Sequence, residues 1–302
     1  MKFKNRNKLR NYCFTTFTRI IFILIIWLQF FFHVGCKVKK PPVFDISHPD
    51  SIYKWNQKSK EVWDYNTAYA KNNPYGFTDT VREKQKAAHI FRIAVLGDSF
   101  IWGDGLPYEK AWSHKLETKI LDKYENIEVM SWGLCGWSTF DEIEFFKKEG
   151  YKYEIDLLII GLVENDPEIK EVNIKNLTNE QYINSIYSKE NLKEYTQLLK
   201  EFNLLQKEHQ FKVIFVVTPL CIYDVYEKHL KSLLKTFKKA GITYLNLYPL
   251  LKNKFAGTPC HLLFANPING HPGELLTEFY SEEVLKYLEN NKYLINRNLR
   301  QK

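Results

Sequence analysis

The apolar residues of the chain fall into short runs that are separated by longer segments of helical periodicity. Five mostly apolar runs are interpreted as buried strands, at positions 93–96, 127–130, 156–160, 213–217 and 242–247. Runs of this kind are typical of parallel strands that are covered on both faces. Apolar residues recur at helical spacing over 109–124, 138–148, 190–209, 223–240 and 274–288. The pattern therefore predicts an α/β fold with a five-stranded parallel sheet between helices.

Small polar residues follow three of the predicted strands at the points where the strands end. Ser99 follows the first strand, Gly136 the second and Asn165 the third. His271 lies in the loop before the last predicted helix. Ligand crevices form at the carboxyl edge of a parallel sheet, where its strands end together. We therefore expect these four residues to lie in one site.

The four residues are of the types that an acyl-transfer site needs. A serine hydroxyl is a poor nucleophile at neutral pH, but Ser99 can attack a carbonyl if His271 takes its proton. The N–H groups of Ser99 and Gly136 and the side-chain amide of Asn165 can donate hydrogen bonds to the oxyanion. One such donor is typically worth about 3 kcal/mol. The residues predict a serine nucleophile, a histidine base and an oxyanion hole.

The candidate residues lie in four short sequence blocks: Gly97-Asp98-Ser99-Phe100, Gly136 in Gly-Leu-Cys-Gly-Trp, Asn165-Asp166 and His271-Pro272. In the residues and the order of these blocks, the chain resembles the SGNH, or GDSL, hydrolases over about residues 90–290. The resemblance implies a flavodoxin-like three-layer α/β/α sandwich. It also implies a serine esterase that needs no metal or organic cofactor, with Ser99 as nucleophile and His271 as base. The expected substrate is a small acyl or acetyl ester of a carbohydrate or lipid.

The chain departs from that family two to three residues before the histidine, where an Asp usually orients the imidazole. Asn269 and Ile268 stand at these positions, and the Asn269 amide can accept a hydrogen bond but carries no charge. Three interpretations follow: a Ser-His dyad oriented by Asn269 or a backbone carbonyl, an acid supplied from elsewhere, or a weakened enzyme.

Two alternative functions fit the same scaffold. They are an O-acyltransferase acting on a cell-envelope polysaccharide and a non-catalytic binding protein.

The first 35 residues resemble an export signal. Six basic residues and no acid lie in this segment, which includes a thirteen-residue, almost wholly apolar run at 20–32 and ends just before Cys36. This predicts a signal peptide with lipidation at Cys36, or an uncleaved N-terminal anchor, and a catalytic domain attached to the membrane outside the cytoplasm. A fortuitous apolar stretch is the remaining alternative.

The rest of the chain is expected to divide into three parts. Residues 36–89, rich in Trp and Tyr, are expected to form a spacer and docking segment. Residues 90–290 are expected to form the hydrolase domain, and 291–302 a polar tail.

The net charge and the cysteine content argue against a nucleic-acid-binding protein and against a zinc site. The net charge of +8 belongs mostly to the leader, because the residues after it carry 37 basic and 35 acidic side chains. No basic stripe suggests nucleic acid as a partner. The three cysteines beyond Cys36 are widely spaced, which predicts at most one disulfide and no zinc site.

Overall fold

The computed structural model describes residues 49–169, 177–222, 224–266 and 269–294. At its centre is a sheet of five parallel strands in the order β2-β1-β3-β4-β5. The strands are β1 (Phe91–Gly97), β2 (Ile127–Gly133), β3 (Leu157–Leu162), β4 (Lys212–Val217) and β5 (Tyr244–Asn246). The predicted parallel sheet is confirmed. Because β1 lies between β2 and β3, the loops that follow these three strands are neighbours.

Helices cover both faces of the sheet. The helices are α1 (Pro49–Ala70), α2 (Ser99–Trp102), α3 (Trp112–Leu121), α4 (Thr139–Lys148), α5 (Asn179–Ile186), α6 (Lys189–Glu208), α7 (Asp224–Ala240), α8 (Tyr248–Lys254) and α9 (Glu274–Asn290). The alternating side chains of β1 divide between two apolar clusters. Ile93 and Val95 pack with α3, α8 and α9, whereas Ala94 and Leu96 pack with α4, α6 and α7. This is the expected three-layer α/β/α sandwich.

The observed elements differ from the predicted ones mainly at their ends. The helix expected from position 109 begins at Trp112, because Tyr108–Lys110 form a separate 3₁₀ turn that ends at the extended residue Ala111. The strand expected over 242–247 pairs only over Tyr244–Asn246. The polar segment after β3 contains α5, which the sequence pattern did not predict.

The helix α1 packs against the loop that follows α2. The rings of Trp63 and Trp102 lie 4.7 Å apart between centroids, and those of Tyr69 and Tyr108 lie 4.0 Å apart. Between these ring pairs, the fully buried Asn66 donates hydrogen bonds to two carbonyls of the loop. Trp63, Asn66 and Tyr69 of α1 thus contact the domain.

A short antiparallel ribbon precedes α9. It consists of β6 (Phe264–Asn266) and β7 (Asn269–Pro272). A disulfide joins Cys221, after β4, to Cys260, just before the ribbon, and Cys135 is a free thiol. The segment that leads into the ribbon is therefore covalently tied to the carboxyl end of β4.

None of the helices within the described part of the chain is long and apolar enough to cross a membrane.

Candidate active site

The nucleophile candidate Ser99 is the first residue of α2, directly after the central strand β1. The carboxylate of Asp98 caps this helix by accepting a hydrogen bond from the Phe100 N–H at 2.9 Å. The helix rests on the end of β2, where a Cβ at Gly133 would lie 2.3 Å from the backbone nitrogen of Trp102. Only glycine permits so close an approach. This packing places Ser99, half-buried, at the carboxyl edge of the sheet.

The ribbon brings His271 to Ser99 across 172 positions of sequence. His271 Nε2 lies 2.8 Å from Ser99 Oγ, within hydrogen-bond distance. On the other side of the ring, Nδ1 lies 2.6 Å from Asn269 Oδ1, which also accepts a hydrogen bond from the His271 backbone N–H at 3.0 Å. Because this amide oxygen can only accept, Nδ1 carries the proton and Nε2 faces the serine with its lone pair. The neutral imidazole is thus oriented as a base.

The environment of His271 favours its neutral form. Burial lowers the pKa of the imidazole below its ordinary value of about 6.5, and the negative charge of Asp104 partly opposes this shift. The rings of Phe100 and His271 are in edge-to-face contact, with 5.7 Å between their centroids. At neutral pH the imidazole is therefore free to accept a proton.

The two other oxyanion-hole candidates lie on the loops beside Ser99. Gly136, with φ +83°, lies on the loop after β2, which the Leu134 N–H ties to the Gly97 carbonyl at 3.1 Å. A Cβ at position 136 would meet nothing within 4 Å, so this backbone borders open space. Asn165 lies on the loop after β3, and its half-buried side chain has no hydrogen-bond partner within the described ranges. Both candidates therefore lie on loops next to the loop of Ser99.

The structure adds a carboxylate that the sequence analysis did not find. Asp104 Oδ1 accepts a hydrogen bond from Asn269 Nδ2 at 3.1 Å, and Asp104 Oδ2 lies 3.6 Å from His271 Nδ1. Its backbone N–H donates to the Ser99 carbonyl at 3.0 Å. The only signal in the sequence is that Asp104 stands between two glycines, which alone indicates a loop.

Buried carboxylates lie behind the nucleophile. Burial raises the pKa of Asp98 to about 6 and raises those of Glu142 and Asp166 well above their ordinary values. Asp166 accepts a hydrogen bond from the Val163 N–H and so holds the loop that carries Asn165.

No group of three or more potential metal ligands occurs within the ranges that the structure describes. The lipidation candidate Cys36 lies outside those ranges.

The fold is that of the SGNH/GDSL hydrolases. Axe2, an acetylxylan esterase from Geobacillus stearothermophilus, matches with a TM-score of 0.50 and 13% identity, over 68% of this chain and 95% of that one. The lipase/acylhydrolase from Enterococcus faecalis matches with a TM-score of 0.47 and 15% identity, over 70% of this chain and 100% of that one. A G-D-S-L family protein from Desulfitobacterium hafniense has a TM-score of 0.45 and 18% identity, over 65% and 98%. No protein-family model and no curated protein matches the sequence.

Proposed function

We propose that this protein is a serine ester hydrolase that works through an acyl-enzyme. Ser99 Oγ attacks the ester carbonyl while His271 Nε2 takes its proton, and the imidazolium then protonates the departing alcohol. Water activated by the same nitrogen releases the acid and restores Ser99. One observation carries the proposal: the 2.8 Å contact between Ser99 Oγ and an imidazole whose other nitrogen is held by Asn269.

The oxyanion that forms on the carbonyl needs donors placed beside Ser99. The N–H groups of Ser99 and Gly136 and the side-chain amide of Asn165 supply them in this proposal. The support is the strand order, which puts the loops of Gly136 and Asn165 on either side of β1. Donors that are fixed before the reaction stabilise the developing charge without reorganisation.

The substrate that we propose is a small acyl or acetyl ester of a carbohydrate or a lipid. Axe2 shares the fold and is an acetylxylan esterase, which makes acetylated sugars the first substrates to test. We also propose that the domain works outside the cytoplasm, attached to the membrane through Cys36 or an N-terminal anchor. The Cys221–Cys260 disulfide supports this location, because disulfides persist mainly in oxidising compartments.

The test is hydrolysis of p-nitrophenyl acetate, butyrate and octanoate and of acetylated xylan by the full-length protein in detergent. We expect turnover of a short-chain ester and a loss of at least about 10³-fold in kcat/KM in Ser99→Ala. Ser232→Ala, which removes a hydroxyl from α7, is the matched control and should retain full activity. Turnover that survives in Ser99→Ala would contradict the proposal. Acyl release only when a sugar acceptor is present would instead identify an acyltransferase.

A further inference from the structure

The amide of Asn269 is fixed by contacts on both of its atoms. Its oxygen accepts hydrogen bonds from the backbone N–H and ring Nδ1 of His271. Its nitrogen donates to Asp104 Oδ1 at 3.1 Å. Because a carboxylate can only accept, the NH₂ group has to face Asp104 and the oxygen has to face the histidine. The carboxylate thereby also determines which ring nitrogen carries the proton.

The negative charge of Asp104 also lies close to the imidazole. Asp104 Oδ2 is 3.6 Å from His271 Nδ1, a distance at which an imidazolium and a carboxylate attract one another strongly at a half-buried site. This charge stabilises the cation that forms when His271 takes the proton of Ser99. In a triad with an aspartate directly on the ring, that aspartate does both tasks.

The loop that carries Asp104 is built to hold it against Asn269. Gly103 and Gly105 flank it with φ of +87° and +84°, a conformation that favours glycine. A Cβ at Gly105 would lie 2.9 Å from Asn269 Nδ2, so any larger residue would push the two segments apart. Asn66 of α1 ties both sides of the loop, at the Gly103 and Leu106 carbonyls, at 3.1 and 2.9 Å.

We propose that Asp104 is the positioning acid of this site, acting on His271 through the Asn269 amide, so that Ser99, His271, Asn269 and Asp104 form one relay. The carboxylate that the family pattern places two or three residues before the histidine is supplied here from the loop after α2. This inference rests on the proposed function, because it assigns Asp104 a task in the same reaction.

A charge exchange between positions 104 and 269 tests the relay. Asp104→Asn keeps an oxygen that can accept from Asn269 and removes only the charge. We expect kcat for p-nitrophenyl acetate to fall by roughly 100-fold or more with little change in KM. Asn269→Asp sets two carboxylates side by side, which then share a proton. The double variant Asp104→Asn/Asn269→Asp restores one charge and one amide, and should recover activity to within roughly tenfold of the parent.

The pH profile separates an electrostatic role from a structural one. Asp104 is the charged group that acts on the imidazole, and Asp104 and Asp98 both act on the thiol of Cys135 on the loop after β2. Glu274 of α9 is paired with Lys110 at 3.2 Å. With the Asp104 charge removed, the acid limb of kcat/KM should move to lower pH. Asp122→Asn, at the exposed end of α3, is the matched control and should leave kcat and the profile unchanged.

The ¹⁵N signals of His271 test the relay without any substrate. Assigned with a His271→Gln variant, they should show the proton on Nδ1 in the parent and a lower pKa in Asp104→Asn. If no ester is hydrolysed but this pKa moves, the relay stands and the proposed reaction fails. A folded Asp104→Asn protein with parental kcat and parental histidine titration would overturn the inference, as would a rise in KM alone.

Discussion

At the scale of single residues, the proposed chemistry depends on His271 being neutral and correctly oriented. Asn269 accepts from Nδ1, which leaves Nε2 with its lone pair 2.8 Å from Ser99 Oγ. Burial favours this neutral form, and Asp104 limits how far the pKa falls. The site thus combines a base that is free at neutral pH with a nearby charge that supports its protonated state during the reaction.

The pH dependence of activity follows from this lowered pKa. A base acts only when it is deprotonated, so kcat/KM should rise with pH through an apparent pKa below about 6.5 and then remain level towards pH 8. The measurement is kcat/KM for p-nitrophenyl acetate between pH 4 and 8 in buffers of constant ionic strength. An acid limb centred above pH 7 would contradict the assignment of His271 in this environment.

Four site candidates could be named from sequence because each lies next to a predicted element. Ser99, Gly136 and Asn165 follow apolar runs, and His271 precedes the last helix. The strand order places the first three loops side by side. The relation of Asp104 to Asn269 had no such signal. It joins residues 165 positions apart through a hydrogen bond that depends on the tertiary path of two loops. Sequence reasoning left an acid from elsewhere as one interpretation without identifying it.

At the scale of secondary-structure elements, α1 is the support of the loop that carries Asp104. Asn66 is fully buried, and besides its two donated hydrogen bonds its oxygen accepts from the Tyr108 N–H at 2.9 Å. A single side chain therefore satisfies three backbone groups of residues 103–108. The Trp63–Trp102 contact adds apolar area to the same junction.

Replacing Asn66 should weaken both the junction and the reaction. Asn66→Ala removes one hydrogen bond from each of two carbonyls and from one N–H, which should lower the free energy of unfolding by about 3 kcal/mol. It should also lower kcat, because the Asp104 loop loses its anchor. Urea unfolding and ester hydrolysis measure the two effects. Asn203→Ala removes one hydrogen bond between α6 and the Ala240 carbonyl and is the control. It should lower the free energy of unfolding without lowering kcat. An Asn66→Ala protein with parental stability would contradict this role.

The strands were predictable from sequence, whereas α1 and the ribbon were not. The strands β1, β3 and β4 are almost wholly buried, so apolar runs reveal them. The ribbon has only three and four residues in its strands, and its position depends on contacts with distant segments. Much of α1 is polar, and the contacts that support the loop of Asp104 come from aromatic rings and Asn66 rather than from an apolar stripe.

At the scale of the whole molecule, the disulfide joins the end of β4 to the segment that leads into the ribbon of His271. The two cysteines are 39 positions apart in the sequence, so the disulfide closes a loop of that length. Crosslinks of this length stabilise a fold mainly by restricting the unfolded chain. The sequence allowed at most one disulfide but did not identify the pair, because connectivity depends on the tertiary fold.

Removing the disulfide should cost stability without removing the chemistry. We expect Cys221→Ser/Cys260→Ser to lower the free energy of unfolding by about 3 kcal/mol in urea titrations. Cys135→Ser, which removes the free thiol, is the matched control and should change the free energy by much less. Equal stability of the double variant and the parent would show that the bond does not form or does not constrain the chain.

The central claim is that Ser99 is a nucleophile activated by His271. The most direct measurement is labelling of the full-length protein with a fluorophosphonate, followed by intact mass and peptide mapping, because this needs no knowledge of the natural ester. We predict one adduct, on Ser99, that is lost in Ser99→Ala and slowed by at least about 10²-fold in His271→Ala. Labelling elsewhere with Ser99 unmodified, or labelling of Ser99 at the same rate without His271, would contradict the account.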